Sequence, residues 1–233
     1  MIIMEDPKQF SPIIKAELTT EKVYLLLKNS IMSLEFLKPG QELSENILAK
    51  QLHVSRTPVR EAFKRLEQEE LVQTIPQKGT HVLKLSSTNL KETAQLRCVL
   101  EVWAGNKAID ELRDADIKKM VAFQKAIHQK FDNKEFLELI ELDTAFHHLF
   151  LEAVGNTKVI KTVDQMNLQL HRLRLLWLKT GKYVNDWGVK PHEDIITAFQ
   201  KRDINLLETS IKMHLRFDDI INEMQQEWPE YFE

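Results

Sequence analysis

Residues 54–66, Val-Ser-Arg-Thr-Pro-Val-Arg-Glu-Ala-Phe-Lys-Arg-Leu, allow little besides a short two-sided helix with a fixed start. Ser55 suits the N-cap, where its hydroxyl accepts from a first-turn amide. Pro58 is tolerated nearby because first-turn amides have no helical acceptor. Val59, Ala62, Phe63 and Leu66 recur at helical spacing and point to a core, while Arg56, Thr57, Arg60 and Lys64 fall on the other side. Just ahead, Ser44 to Leu52 reads as another short helix, with Ile47, Leu48 and Leu52 on its apolar side and a tight turn at His53-Val54. Two short helices, a short turn and a cationic second helix predict a helix-turn-helix. Behind it, Leu71 to Ile75 and His81 to Leu85 read as strands around the turn Pro76-Gln77-Lys78-Gly79. A two-stranded wing is expected, with Lys78 and Gly79 at its tip suited to a phosphate or the minor groove.

Net charge is −3, which at first argues against a polyanionic partner. The distribution removes the objection. Residues 1–84 hold 12 Lys+Arg against 11 Asp+Glu, and residues 85–233 hold 20 against 24. Within 50–65 there are five cations and one acid. Affinity for a duplex depends on such a local face rather than on the total. No apolar run is long enough to cross a membrane, and Met1 to Phe10 lacks a signal-peptide core. The single cysteine, Cys98, excludes an internal disulfide and reads as a core filler. A cytoplasmic location is the expectation.

Along the chain, residues 1–11 read as a mobile tail and Pro12 to about Leu34 as a helix. Its core candidates are Leu18, Val23, Leu26, Leu27 and Ile31. The expected winged domain covers 12–85. Ser86 to Asn89 reads as a linker, with Asn89 and Glu92 spaced as a capping box. The pattern is helical from there on, with helices near 89–111, 114–131, 134–154, 157–181, 187–201 and 203–227. Asp114 and Asp203 are expected N-caps, and Gly155-Asn156 and Gly181 expected breaks. The fold expected is mainly α: a winged helix-turn-helix followed, over 89–228, by an antiparallel bundle of about six helices.

Three of these helices carry ionisable groups where apolar ones belong. Ile140, Asp143, His147, Phe150 and Val154 share one stripe; so do His192, Ile196 and Phe199, and Leu207, Ile211, His214 and Ile221. Burying one such group unpaired costs roughly 1–3 kcal/mol. Asp143 and His147 leave one helix face together at i and i+4. With His192 and His214 they make three imidazoles and a carboxylate, a donor set for Zn²⁺, Ni²⁺, Mn²⁺ or Fe²⁺. A hydrogen-bonded core cluster is the alternative, since single inward histidines are more often that. His148 points off its stripe, and His53, His81, His128 and His171 have no partner in the sequence and read as ordinary.

Ser55-Arg-Thr-Pro-Val-Arg-Glu-Ala62 with Gly79 resembles the winged helix-turn-helix of the GntR family of bacterial transcription regulators. The resemblance implies that Arg56 and Arg60 contact base edges or phosphates of a double-stranded operator and that Thr57 contacts the backbone. Ser55, Lys64, Lys78 and Gly79 complete the expected DNA-facing set. Two positions depart from the family: Asn46, where a basic residue is common, and Glu70, where glycine is common. Leu96-Arg97 with Glu101, Asp143-Thr144-Ala145-Phe146-His147, Gly155-Asn156, His192 and Met213-His214-Leu215 resemble the FCD ligand-sensing domain of the FadR branch, and the six-helix count resembles its VanR-like subgroup. The resemblance implies a divalent metal held by Asp143, His147, His192 and His214 at the floor of an effector cavity. It also implies a small organic acid as effector, with Arg97 and Asn156 as candidate partners and Arg172 and Arg174 as weaker ones. An ion pair with Glu101 is the other role open to Arg97, and a helix cap the other role open to Asn156. A homodimeric repressor reading a palindromic operator is expected. A metal-responsive regulator and a metal-dependent hydrolase are the competing readings; the latter has no obvious general base, Glu193 beside His192 being the conceivable candidate.

Overall fold

The computed structural model describes residues 14–181 and 190–233, with side chains from 19 to 181 and from 191 onward. The expected mobile tail at 1–11, the core position of Leu18 and the helix start near 187 lie outside the described residues. The chain divides into two units, Met1–Lys84 and Leu85–Glu233.

The first unit begins with α1 (Ile14–Met32), which packs on α3 (Arg56–Gln68). Val23, Tyr24, Leu27 and Ile31 are buried at helical spacing, and Val59, Ala62, Phe63 and Leu66 are the buried side of α3. Leu26, expected inward, is exposed. Between these helices, α2 (Glu45–Gln51) starts at Ser44, whose side chain accepts from the Ile47 amide. Ile47 was expected in the core and is 59% exposed; Ala49 is buried instead. The N-cap of α3 is Ser55, as expected, but without a side-chain cap bond.

The wing has three strands rather than two. β1 (Glu42–Leu43), β2 (Val72–Ile75) and β3 (Gly79–Val82) form an antiparallel sheet in the order β1-β3-β2. Two residues carry no periodicity, so β1 has no signature of its own. The second arm of the wing starts at Gly79, earlier than the apolar run from His81. Gly79 has φ +86°, the left-handed region that favours glycine, whereas the Glu42 carboxylate 3.3 Å from an added Cβ could shift aside. Glu70 has φ +57°. That conformation explains why glycine suits the position: the left-handed region costs a residue with a Cβ about 1–2 kcal/mol, offset by the roughly 0.5–1 kcal/mol of entropy that glycine loses on folding. Glu70→Gly is expected to stabilise the first unit by up to about 1 kcal/mol. An unchanged or lower urea midpoint in its transition would contradict this account.

The second unit is an all-helical bundle. Its elements are α4 (Ser87–Ala108), α5 (Asp114–Asp132), α6 (Phe136–Val154), α7 (Thr157–Lys179), α8 (Lys190–Lys201), α9 (Ile204–His214) and α10 (Asp218–Glu227). The final expected helix, 203–227, is thus two, and the described residues hold seven helices where about six were expected. The break follows His214, where Leu215 and Phe217 turn inward and become buried. α4 begins at Ser86, whose Oγ accepts from the Asn89 amide, so the expected box at Asn89 and Glu92 lies within the first turns instead. Arg113, not Asp114, is the N-cap of α5, whereas Asp203 caps α9 as expected. α4 packs against α6, α7 and α9, and α8 bridges α5 and α9. Gly105 lets α4 and α9 close: a Cβ there would meet Ile211 at 3.0 Å and Leu207 at 3.2 Å.

Candidate metal centre and nucleic-acid interface

Asp143 and His147 leave α6 on its buried face, His192 comes from the first turn of α8 and His214 from the end of α9. All four are buried, and one ligand atom from each lies within 4.8 Å of the others. His147 Nε2 is 3.0 Å and His192 Nε2 3.2 Å from His214 Nε2. Asp143 Oδ1 lies 3.3 Å from His192 Nε2 and 3.8 Å from His214 Nε2. Separations near 3 Å are what metal–donor bonds of about 2.0–2.2 Å require.

The protons identify the kind of ligand this set lacks. Glu101 Oε2 stands 2.5 Å from His147 Nδ1. Gln124 Oε1 stands 2.7 Å from His192 Nδ1, while its amide nitrogen donates to His128 Nε2 at 2.9 Å. Both Nδ1 atoms stand against acceptors, His192 through a hydrogen bond and His147 through a close carboxylate contact; a hydrogen on each Nδ1 leaves both Nε2 atoms of the neutral rings presenting lone pairs. Asp143 Oδ1 is a further acceptor. His214 Nε2 has at most one hydrogen to divide among them. Burial also lowers the His192 pKa well below the usual histidine value, with His214 adding to the effect, and so keeps the ring neutral. Lone pairs crowded into a buried site with fewer hydrogens than acceptors are stabilised by a cation, and nitrogen with carboxylate donors fits a borderline divalent one.

The outer groups are equally ordered. Arg174 donates to Asp143 Oδ2, leaving Oδ1 toward the histidines. Burial acts to raise the Asp143 pKa, but the Arg174 guanidinium, with smaller help from the histidines, holds it far below the carboxylate range. Glu101 is fully buried; burial raises its pKa too, yet Arg97 and then His147 outweigh that and hold it at about 2. Arg97 Nε donates to Glu101 Oε1 at 2.6 Å. Arg97 Nη2 and Arg174 Nη1 are buried without a hydrogen-bond partner; so are Glu101 Oε2 and His147 Nδ1, whose 2.5 Å approach is an ion-pair contact rather than an aligned hydrogen bond. Both arginines line a cavity of about 20 Å³, together with Asp143, His214, Trp177, Phe217 and Ile220.

Arg97 therefore takes both roles open to it, as the Glu101 partner and as cavity wall. Asn156 does not line this cavity: it is exposed and caps α7, accepting from the Lys158 and Val159 amides. Arg172 is buried with a pKa lowered by burial to about 10, and it too is absent from that wall. His148 bonds Asp164 at the surface. Gln124 is the residue that sequence reasoning missed, and the helical spacing of Gln124 and His128 on α5 is the only trace it leaves there.

In the first unit, the three expected DNA-facing cations of α3 are held by the protein's own groups. Arg60 makes a two-pronged pair with Glu45, Nε to Oε1 at 3.1 Å and Nη2 to Oε2 at 2.9 Å. Arg56 donates to Asn46 at 3.2 Å, so the departure at Asn46 replaces a cation with a guanidinium holder. Lys64 pairs with Glu61 at 2.9 Å. Thr57, Lys78 and Gly79 are exposed, and His81 braces the wing turn by bonding the Lys78 carbonyl at 2.8 Å.

Comparison with known proteins agrees with both halves. Residues 19–82 match the model of bacterial regulatory proteins of the gntR family, and residues 92–217 match the FCD domain. The HTH-type transcriptional repressor RspR of Escherichia coli K12 is 26% identical, covering 91% of this chain and 92% of the repressor. An HTH-type regulator from an unstable DNA locus of Streptomyces ambofaciens is 34% identical over 85% of this chain and 83% of its own. Among solved structures, E. coli McbR/YncC superposes with a TM-score of 0.71 at 20% identity, covering 89% of this chain and 98% of that one.

Proposed function

Since the chain belongs to the GntR family of bacterial regulatory proteins and carries an FCD domain, we propose that it is a ligand-responsive repressor that senses a small organic acid at a divalent-metal centre formed by Asp143, His147, His192 and His214. Its relatives are transcriptional regulators rather than enzymes, which leaves the buried polar site a sensing role. The observation that carries this reading is the acceptor-rich cluster sharing a wall with two guanidiniums. Asp143 and Glu101 balance Arg97 and Arg174 in charge. A divalent ion bound there supplies open positions for an anionic oxygen and leaves the site in need of negative charge. The spare Arg97 and Arg174 N–H groups suit a carboxylate.

A cavity of about 20 Å³ has room for roughly one water. An acid therefore enters only as the wall moves, and the break between α9 and α10, with Phe217 and Ile220 on the wall, is the natural place for that movement. Ligand regulates only by binding one arrangement better than another. On α4, Leu96, Val99 and Trp103 are exposed at helical spacing, and Val99 is 64% exposed; Met213 of the neighbouring α9 is exposed as well. We assign this face to a second copy, giving a cytoplasmic homodimer whose recognition helices read the halves of a palindromic operator. The FadR-branch, VanR-like reading belongs to this proposal; the described residues of the second unit hold seven helices where that resemblance counted about six.

The test is to select duplexes from a random library with the metal-loaded protein, then titrate the selected duplex with a panel of small carboxylic acids. Inverted-repeat sites, released by an acid only when Zn²⁺ is bound, are expected. Release by Zn²⁺ alone would make the protein metal-responsive instead.

A further inference from the structure

We propose that Glu101 and Gln124 are positioning residues of the centre: they set the tautomers of His147 and His192, and so decide whether those rings can ligate. The inference rests on the metal reading above. A neutral imidazole offers one lone pair, and a ring with hydrogen on Nε2 puts an N–H where a ligand atom is needed. The group at Nδ1 makes the choice.

Glu101 is costly to bury, and its two oxygens are divided. Oε1 takes Arg97, four residues away on the same helix, at 2.6 Å. Neutralising Arg97 needs only that oxygen, yet Oε2 reaches across to His147 Nδ1 at 2.5 Å. Arg97 thus braces the carboxylate, and the carboxylate orients the ring. Gln124 does the same for His192 with a neutral group. Its amide cannot reverse freely, because its nitrogen already serves His128 Nε2.

These roles predict opposite outcomes for two nearly isosteric exchanges. In Glu101→Gln, the Arg97 N–H still demands an oxygen, so the new amide turns its NH₂ toward His147. Nδ1 must then accept, the hydrogen moves to Nε2, and the ligating lone pair is lost. In Gln124→Glu, an oxygen still faces His192 Nδ1, and the half-buried His128 can change its own tautomer to donate. Zn²⁺ affinity, measured by competition with a chromophoric chelator, is expected to fall about 10- to 100-fold in Glu101→Gln and to hold in Gln124→Glu. Nitrogen-15 imidazole spectra of the metal-free proteins should show His147 change from the Nδ1–H to the Nε2–H form in the first variant only, a signal that a purely structural role would not move. Gln124→Met strands no charge and tests His192 separately: it should mix the His192 tautomers and weaken Zn²⁺ binding. His147 remaining Nδ1–H in Glu101→Gln, with affinity within twofold of the parent, would overturn the proposal. If the parent takes up no Zn²⁺, the metal reading fails, and the metal-free spectra still decide the tautomer claim.

Discussion

Replacing His192 and His214 together with alanine should abolish stoichiometric metal uptake. The pair supplies the donors from α8 and α9, leaving only Asp143 and His147 on one face of α6. Two donors on one helix do not enclose a divalent ion. The stability signature should follow. A ligand at 1,000 times its Kd adds about 4 kcal/mol to the unfolding free energy, so the parent's melting temperature should rise with Zn²⁺ while the variant's stays flat. Without metal the variant should lose less than the usual cost of emptying a core. His192 does stack on Phe146 with centroids 4.1 Å apart, but removing the rings also removes the crowding of their lone pairs. Uptake should fall only well below the ordinary histidine range, since burial holds the His192 ring neutral there and protonated imidazoles cannot ligate. Equal metal content in parent and variant, by elemental analysis of protein purified without a histidine tag, would exclude this centre and leave a hydrogen-bonded core cluster.

The four candidate ligands were legible because each sits on a helix whose other buried positions are almost all apolar, Ser210 on α9 being the exception. A stripe such as Ile140, Asp143, His147 and Phe150 reveals both the inward direction and the exception to it. Glu101 was legible as a partner of Arg97 through the i, i+4 spacing, but its second oxygen was not, because His147 is far away in sequence. Arg174 was harder still. Residues 172–178 of α7 are buried without interruption, so no apolar face distinguishes the arginine that reaches Asp143 from its neighbour Arg172. The break after His214 is hidden for a related reason: helical spacing resumes in α10 and bridges the interruption. In the first unit the sequence marks α3 and the wing turn through special residues, whereas β1 exists only through its pairing with β3. The positive φ at Glu70 became visible only against the family's preference for glycine, because glutamate itself gives no sign of it.

Arg60→Ala should weaken operator binding by about 10- to 100-fold at fixed salt, while the fold is unchanged. A cation that reads a base edge is worth roughly 1–3 kcal/mol, and Arg60 is exposed on α3 with no burial to lose. Its pairing with Glu45 sharpens the expectation. Held by two hydrogen bonds, the guanidinium is already extended and oriented, but it must share or exchange that carboxylate when DNA arrives. Removing Arg60 therefore does more than delete a cation: it leaves Glu45 uncompensated beside a polyanion. Glu45→Ala is the informative partner. It frees Arg60 and deletes a negative charge, so non-specific affinity should rise and the ratio of operator to random-duplex binding should fall. The form of the Arg60→Ala loss identifies what Arg60 touches. A base contact relaxes preference at one operator position, whereas a phosphate contact weakens all sequences alike and lowers the salt slope by about 1. Arg56, tied only to the neutral Asn46, has no carboxylate to strand, and its removal should cost less than that of Arg60. Unchanged operator affinity in Arg60→Ala, by anisotropy at matched ionic strength, would remove α3 from the DNA-reading role.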